Sequence, residues 1–492
     1  GIRPPGGFKA GIRMDTGINM LELNLDFDEV PKDELRDLMH SFQIRKKYYR
    51  MKNGSFIDLE DDTIGRVSQI LDSLNINNKY FKDASLLLEK QQALYLDKAF
   101  TDKELSFERD RAFVQLTQKI LTPSITEYTL PDGILAELRQ YQITGYKWLR
   151  TLAENELGGI LADDMGLGKT LQSIVYIASG VQSQAKDDEK HYLIVCPTSL
   201  IYNWQDEIEN FAPFLRALVI SGTPAERQEM IESYPDYDVL ITSYPLIRRD
   251  VAFYEKISFH TIFIDEAQFI KNDSSLNSKS VKRLIADHRF ALTGTPIENS
   301  LSELWSIFDF IMPGYLHTHS RFVESYEKPI MKEDAGALND LHQHISPFIL
   351  RRMKKDVLTE LPDKYETKML TELSEGQKLV YQAYLENIRS EINSEIAING
   401  LEKSRIRILA ALTRLRQICC HPSTFIENYQ GGSGKLDLLM EVIPDAIAND
   451  HRVLVFSQFT SMLRIIEGEL KELDIPYFYL KEVHTRRTGM IM

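Results

Sequence analysis

Between Leu138 and Leu292, short runs of β-branched and apolar residues alternate with amphipathic stretches. No other feature constrains the fold of this chain as much. The runs are Gly159-Ile160-Leu161-Ala162, Tyr192-Leu193-Ile194-Val195, Val239-Leu240-Ile241, Thr261-Ile262-Phe263-Ile264 and Phe290-Ala291-Leu292. Apolar strands separated by helices build a parallel sheet covered on both faces. The spacing therefore predicts an α/β lobe.

Directly after the first run comes Asp163-Asp164-Met165-Gly166-Leu167-Gly168-Lys169-Thr170, placed to open a helix. Glycines here let backbone N–H groups wrap a phosphate, and the helix N-terminus adds a favourable dipole. Gly166, Leu167 and Gly168 would form the cradle. Lys169 would reach the β- and γ-phosphates of a nucleotide, and the Thr170 hydroxyl would ligate magnesium. The general phosphate-loop pattern has a glycine where Asp163 stands, and a bare Gly-Lys-Thr also suits an ordinary glycine turn.

A second element argues against that plain turn. Ile262-Phe263-Ile264-Asp265-Glu266-Ala267-Gln268 is an apolar strand ending in paired carboxylates. A nucleotide-hydrolysing sheet places its magnesium-holding aspartate at such a carboxyl edge, beside the phosphate loop. Asp265 would hold Mg2+ through water, and Glu266 would orient or deprotonate the attacking water. An Asp-Glu pair can also cap a helix, but the apolar strand before it and the loop upstream favour the catalytic reading.

These segments, with Leu292-Thr293-Gly294-Thr295-Pro296-Ile297-Glu298-Asn299, resemble motifs I, II and III of the Swi/Snf ATPases, double-stranded-DNA translocases of helicase superfamily two. That family carries an acidic residue at the position of Asp163. Leu138-Arg139-Gln140-Tyr141-Gln142 with Gly145 and Trp148 resembles its adenine-reading segment, which implies Gln142 as a base contact. Val195-Cys196-Pro197-Thr198-Ser199-Leu200 through Asn203-Trp204 resembles motif Ia, and Ile241-Thr242-Ser243-Tyr244 resembles motif Ib. Phe348 to Arg352, Leu415 to Pro422 and Val453 to Phe459 are also similar to family segments. The likeness spans residues 130–480.

The resemblance implies ATP and Mg2+ as cofactors, double-stranded DNA as partner, and DNA-dependent ATP hydrolysis. It implies DNA-phosphate contacts for Thr198, Ser199, Thr242 and Ser243; hydroxyls at strand ends suit phosphate, and equally suit loop capping. Thr293, Gly294 and Thr295 would couple the nucleotide site to the DNA groove. Arg351, Arg352, Lys354 and Lys355 put four positive charges in five residues. Arg351 and Arg352 are read as DNA contacts, with a solvated basic helix end as the alternative.

The predicted architecture has four parts. Residues 1–120 form an α+β accessory module, similar to the one preceding the motor in bacterial members and suited to a protein partner or to guiding DNA. It contains a strand over Met20–Phe27, a helix opened by Pro31, a hairpin around Asn53-Gly54, and helical spacing from about residue 86. Residues 121–310 form a RecA-like P-loop ATPase lobe, and 311–433 helical protrusions with a basic linker. Within that linker region, helices over Glu375–Ile398 and Ser404–Cys419 are expected. Residues 434–492 begin a second RecA-like lobe, with strands at Val453–Phe456 and Tyr477–Leu480.

The tail from Lys481 does not match the loop the family has there, and Arg486 and Arg487 are not assigned as arginine fingers. The chain is therefore expected to be truncated within the second lobe, keeping nucleotide binding but little DNA-stimulated turnover. A nucleotide-binding, non-hydrolysing scaffold is the alternative function, and an RNA helicase a more distant one.

Composition adds limits. The chain has 58 basic and 72 acidic residues, a net charge of −14. Residues 345–420 hold 13 basic against 10 acidic, so the acidic average hides a basic linker. Three cysteines, two adjacent, exclude a disulfide framework and favour a reducing compartment. Cys419-Cys420-His421 lacks a second ligand pair at finger spacing, so no zinc is expected. No apolar run approaches the roughly 18 residues that span a bilayer. A cytoplasmic, bacterial nucleoid-associated protein is expected.

Overall fold

The computed structural model describes residues 2–74, 76, 81–82, 84–123, 126–184, 189–294, 300–358 and 365–480. The chain divides into two compact units, residues 1–362 and 363–492.

The first unit begins with an α+β module. Its five-stranded sheet runs in the order 81–82, 85–89, 20–27, 8–15, 107–109. Alternation decides its faces. Phe8, Ala10, Ile12 and Met14 on one strand, and Leu21, Leu23, Leu25 and Phe27 on the next, all point into the core. Tyr48–Arg50 and Phe56–Asp58 form the expected hairpin, with Gly54 in the left-handed region at φ +87°. Helical spacing starts later than expected: Ser85–Glu89 is a strand, because Leu86 and Leu88 alternate inward and pair with Leu23 and Leu21. Helices Ala93–Asp102 and Arg111–Leu121 follow.

The module docks onto the helical segment after the nucleotide lobe. Asp340 accepts from the hydroxyls of Tyr95 and Tyr326, each at 2.8 Å. Tyr95 stacks on His344 with ring centroids 3.6 Å apart, and the Gln343 amide donates to Asp102.

The lobe is built on strands β1 (Gly159–Leu161), β2 (Tyr192–Cys196), β3 (Ala217–Val219), β4 (Val239–Ser243), β5 (Ser258–Ile264), β6 (Ile285–Leu292) and β7 (Ile349–Leu350). They form a parallel sheet in the order β3-β4-β2-β5-β6-β1-β7. The five expected strands are its interior, and every residue of β1, β2 and β4 is buried. The two edge strands, β3 and β7, are too short to have signalled themselves. Strand β6 lies between the strand that feeds the phosphate loop and the strand that ends in carboxylates, an order that marks the RecA-like sheet.

In the second unit the two expected helices both form within Glu375–Cys420 and meet at a kink at Gly400, whose φ of 75° and ψ of 166° no helix tolerates; the first starts at Glu375. Ser374 caps it, accepting from the Gln377 amide. Helices Gly434–Ala448 and Thr460–Glu472 enclose a small core of Leu436, Ile443, Met462, Ile466 and Leu470. The strands expected at Val453–Phe456 and Tyr477–Leu480 are not formed: among the described residues of this unit there is no strand. A strand without a paired neighbour leaves its backbone groups unbonded to other strands, so two isolated segments gain nothing from extension. Residues 481–492, including Arg486 and Arg487, lie outside the described residues.

Candidate functional site

The carboxyl end of β1 delivers the chain into the glycine-rich turn. Gly166 and Gly168 adopt φ of 82° and 76°, conformations that a side chain resists, and Gly168 caps the helix Lys169–Gln182. Lys169 Nζ donates to the backbone oxygens of Asp163 at 2.6 Å and Asp164 at 3.4 Å. Burial lowers its pKa, opposed in falling order by Asp163, Asp265, Glu266 and Asp164. The lysine thus sits in the field of both carboxylates that end β5. Thr170, half-buried, is in the first turn of the same helix.

Gln142 closes one side of this loop. It lies in the first turn of the helix Gln140–Glu154, where its Oε1 accepts from the Arg139 amide at 2.9 Å. Its Nε2 donates to the Leu167 oxygen at 3.3 Å. A Cβ on Gly168 would come within 2.5 Å of that nitrogen, so glycine is needed for the approach.

Asp265 follows β5 and is almost fully buried. Its Oδ1 accepts from the Glu266 amide at 2.8 Å, and its Oδ2 from the Trp204 indole Nε1 at 2.9 Å. Burial raises its pKa, and the Trp204 bond is the largest opposing influence. Tyr244 donates to the Asp265 backbone oxygen at 2.6 Å and stacks on Phe269. Neither Trp204 nor Tyr244 was among the expected site residues. Their signal was present all the same: a buried indole or phenol must find an acceptor, and both sit in segments following β2 and β4.

Glu266 adopts φ 49°, the left-handed region that a glutamate enters at a cost of about 1–3 kcal/mol. Its Oε2 accepts from Gln268 Nε2 at 2.7 Å, and Gln268 Oε1 accepts from the Thr293 hydroxyl at 3.2 Å. A hydrogen-bonded chain therefore runs from Glu266 to the turn after β6. Thr293 is buried and its amide donates to the Leu161 oxygen, joining that turn to β1. Gly294 lies against Met165 of the phosphate loop. Thr295 lies outside the described residues.

The expected DNA contacts separate into two groups. Thr198 and Ser199 are exposed in a short turn between β2 and the helix Ile201–Phe211, and Arg351 is exposed after β7. Thr242 and Ser243 are instead buried at the carboxyl end of β4, paired with Val195 and Cys196 of β2. Arg352 also differs from Arg351. Its guanidinium is withdrawn from solvent onto Asp163, with Nε 2.9 Å from Oδ1. Charge counting along the sequence could not separate it from its exposed neighbour.

Fold and site together define a RecA-like P-loop lobe, with its phosphate turn and acidic strand end on one edge of a parallel sheet. The SNF2-related domain matches residues 141–424, and the bacterial SNF2 helicase associated region matches residues 2–131. The chain belongs to the SNF2-related family of ATPases. It is 34% identical over 434 residues to the TATA-binding protein-associated factor MOT1 of Saccharomyces cerevisiae, covering 75% of this chain and 23% of that protein. It is 38% identical over 359 residues to an uncharacterized ATP-dependent helicase of Mycoplasma pneumoniae, covering 72% of this chain and 33% of the relative. Among solved structures, the Sulfolobus solfataricus SWI2/SNF2 ATPase core in complex with dsDNA is 39% identical, covering 70% of this chain and 73% of that one with a TM-score of 0.46. The chain spans only about a quarter to a third of the length of those two curated relatives. No helix among the described residues is long and apolar enough to cross a membrane.

Proposed function

We propose that this chain is the ATP-binding part of an ATP-dependent motor that moves along double-stranded DNA in the bacterial cytoplasm. The observation that carries the reading is the glycine turn after β1, with Lys169 at the head of the helix that follows and the Asp265-Glu266 pair at the end of β5, across β6 on the same sheet edge. A half-buried ammonium on the sheet edge that also carries paired carboxylates suits a triphosphate arriving together with a divalent cation.

In this reading Gly166, Leu167 and Gly168 offer backbone N–H groups to the phosphates, and Lys169 exchanges the two backbone oxygens it now holds for the β- and γ-phosphates. Gln142 meets the adenine. Thr170 and Asp265 supply a hydroxyl and a buried carboxylate, hard oxygen donors that fit Mg2+. When bound, the ion would neutralise charge on the phosphates. Trp204 keeps the Asp265 carboxylate oriented. Glu266, held by Gln268, aligns the attacking water and accepts its proton. Thr293 and Gly294 sense that state through Gln268. Thr198, Ser199 and Arg351 face the DNA backbone, and residues 1–120 serve a protein partner or guide the duplex.

Phosphate release by the full-length protein, with and without duplex DNA, tests the proposal. DNA-stimulated turnover abolished by Lys169→Ala supports it. In Glu266→Gln, retained ATP binding with lost turnover is expected. An unchanged rate in that variant would remove Glu266 from the chemistry, and ATP binding with no turnover in the wild type would leave a nucleotide-binding scaffold.

A further inference from the structure

Strand β7 pairs with β1, and the residues after it run alongside the phosphate loop. The Ala162 amide donates to the Leu350 oxygen at 2.7 Å, the Asp164 amide to the Arg352 oxygen at 3.0 Å, and the Lys354 amide to Asp164 Oδ2 at 3.0 Å. Arg352 turns inward between them. Its Nε and Nη2 fork onto the two carboxylate oxygens of Asp163 at 2.9 and 2.5 Å, and its own amide donates to Oδ1 at 3.1 Å.

The same guanidinium reaches two further elements. Nη2 donates to Gln172 Oε1 at 2.8 Å, and Nη1 to the Tyr141 backbone oxygen, with the Tyr141 ring 5.2 Å from the guanidinium carbon. Gln172 in turn donates to Asp163 Oδ2 and to the Gly168 oxygen. Asp163 and Gln172 have no exposed surface. A Cβ on Gly145 would stand 1.8 Å from Gln172 Oε1 and 2.8 Å from Arg352 Nη2, so the helix 140–154 makes room for this network.

We propose that Arg352 is a positioning residue of the nucleotide site. It forms an ionic lock with Asp163 that fixes the phosphate loop and makes the segment 349–358 move with that loop. The proposal rests on the reading of Gly166–Thr170 as the ATP phosphate loop. It accounts for an acidic residue where phosphate loops generally have glycine: the carboxylate is there to receive the arginine. Asp163 also faces both ways. Its side chain holds Arg352 and its backbone oxygen holds Lys169 Nζ. When triphosphate takes Lys169, that backbone oxygen loses its partner. The turn then re-seats, and a bidentate, water-excluded pair carries the shift into the segment after β7.

The test uses the full-length protein with Asp163→Asn, Arg352→Gln, Arg352→Lys and the Asp163→Asn/Arg352→Gln pair. A fluorescent ATP analogue with Mg2+ reports affinity, and hydrogen exchange of amides 352–358 with and without nucleotide reports transmission. Each neutralised single variant should lose about tenfold in affinity or more, the scale of breaking one side of a buried charge pair. The double variant should be no weaker than its poorer parent, and Arg352→Lys should lie between wild type and Arg352→Gln. Nucleotide should alter exchange at Arg352 and Lys354 in wild type and not in Arg352→Gln. Intact affinity and an intact exchange response in Arg352→Gln would overturn the lock, as would losses that simply multiply in the double variant. Loss of DNA affinity alone would return Arg352 to the DNA surface. If Arg352→Gln does not fold, Arg352→Lys and Asp163→Asn decide on the same readouts. Failure of the wild type to bind ATP would instead strike the parent reading.

Discussion

Tyr192–Cys196 and Val453–Phe456 are almost interchangeable as sequence, yet they end in opposite environments. The first is the buried strand β2, paired on both sides. The second is unpaired, with Leu454 83% and Phe456 87% exposed. The difference lies in the neighbours. In the first unit, β4 and β5 supply hydrogen-bonding edges, and helices such as Ile201–Phe211 cover the faces. In the second unit the described residues supply helices alone, and the small core forms between those helices. An apolar run is thus permission to form a strand, and pairing is what makes it one.

Substitution at matched positions gives the largest expected contrast. Ile194→Asp places an unpaired carboxylate in the centre of the sheet and should cost on the order of 4 kcal/mol or more, enough to unfold the lobe. Leu454→Asp should stay within about 0.5 kcal/mol. Urea denaturation of each variant checks this, and equal losses would break the comparison.

Chemistry should follow the same division. Lys169→Ala should reduce ATP turnover by about 10²–10³-fold, the loss that follows removal of one group stabilising transition-state charge, with the melting temperature nearly unchanged.

Each unit also has a buried polar anchor. Trp204→Phe keeps the ring and removes one donor from Asp265, so stability should fall by about 1–3 kcal/mol and the magnesium needed for nucleotide binding should rise. In the second unit Gln377 donates to the Ile418 oxygen and accepts from the Ser374 and Gly434 amides. Gln377→Met should cost a similar amount of stability while leaving nucleotide affinity as it was, measured by calorimetry and the fluorescent analogue. Equal effects on nucleotide would mean that the two anchors are not independent.

Acid sensitivity, silent at neutral pH, divides the two units as well. Burial lowers the pKa of His260 to about 3 and of His344 to about 4, from an ordinary 6.5. Both residues are in the first unit. The unfolded chain binds their protons more readily, so their contribution is complete above about pH 6.5 and is lost as pH falls towards 3–4. His344→Gln should flatten this loss in a pH series of denaturation midpoints; an unchanged slope would remove His344 from the account.

Much of this was legible before any coordinates. The interior strands of the lobe follow from short apolar runs between helices, and the phosphate turn and the Asp265-Glu266 pair from local chemistry at strand ends. What stayed hidden shares one property. Strands β3 and β7 were invisible because a two- or three-residue edge carries no periodicity of its own. Thr242 and Ser243 looked like surface hydroxyls, yet flanking strands bury them. Arg352 looked like its exposed neighbour Arg351, and Trp204 stood only at the end of the segment resembling motif Ia, with no partner to mark it.

By itself, then, the sequence determined which residues have the chemistry to hold a triphosphate, and that a parallel sheet would present them. Backbone preference and apolar spacing act over a few residues, and both are local. Only the tertiary structure decided which polar groups face one another. Asp163 and Arg352 stand 189 residues apart, and Trp204 and Asp265 stand 61 apart. A buried charge or indole N–H takes whatever partner the packing brings, and that choice is made by burial in space.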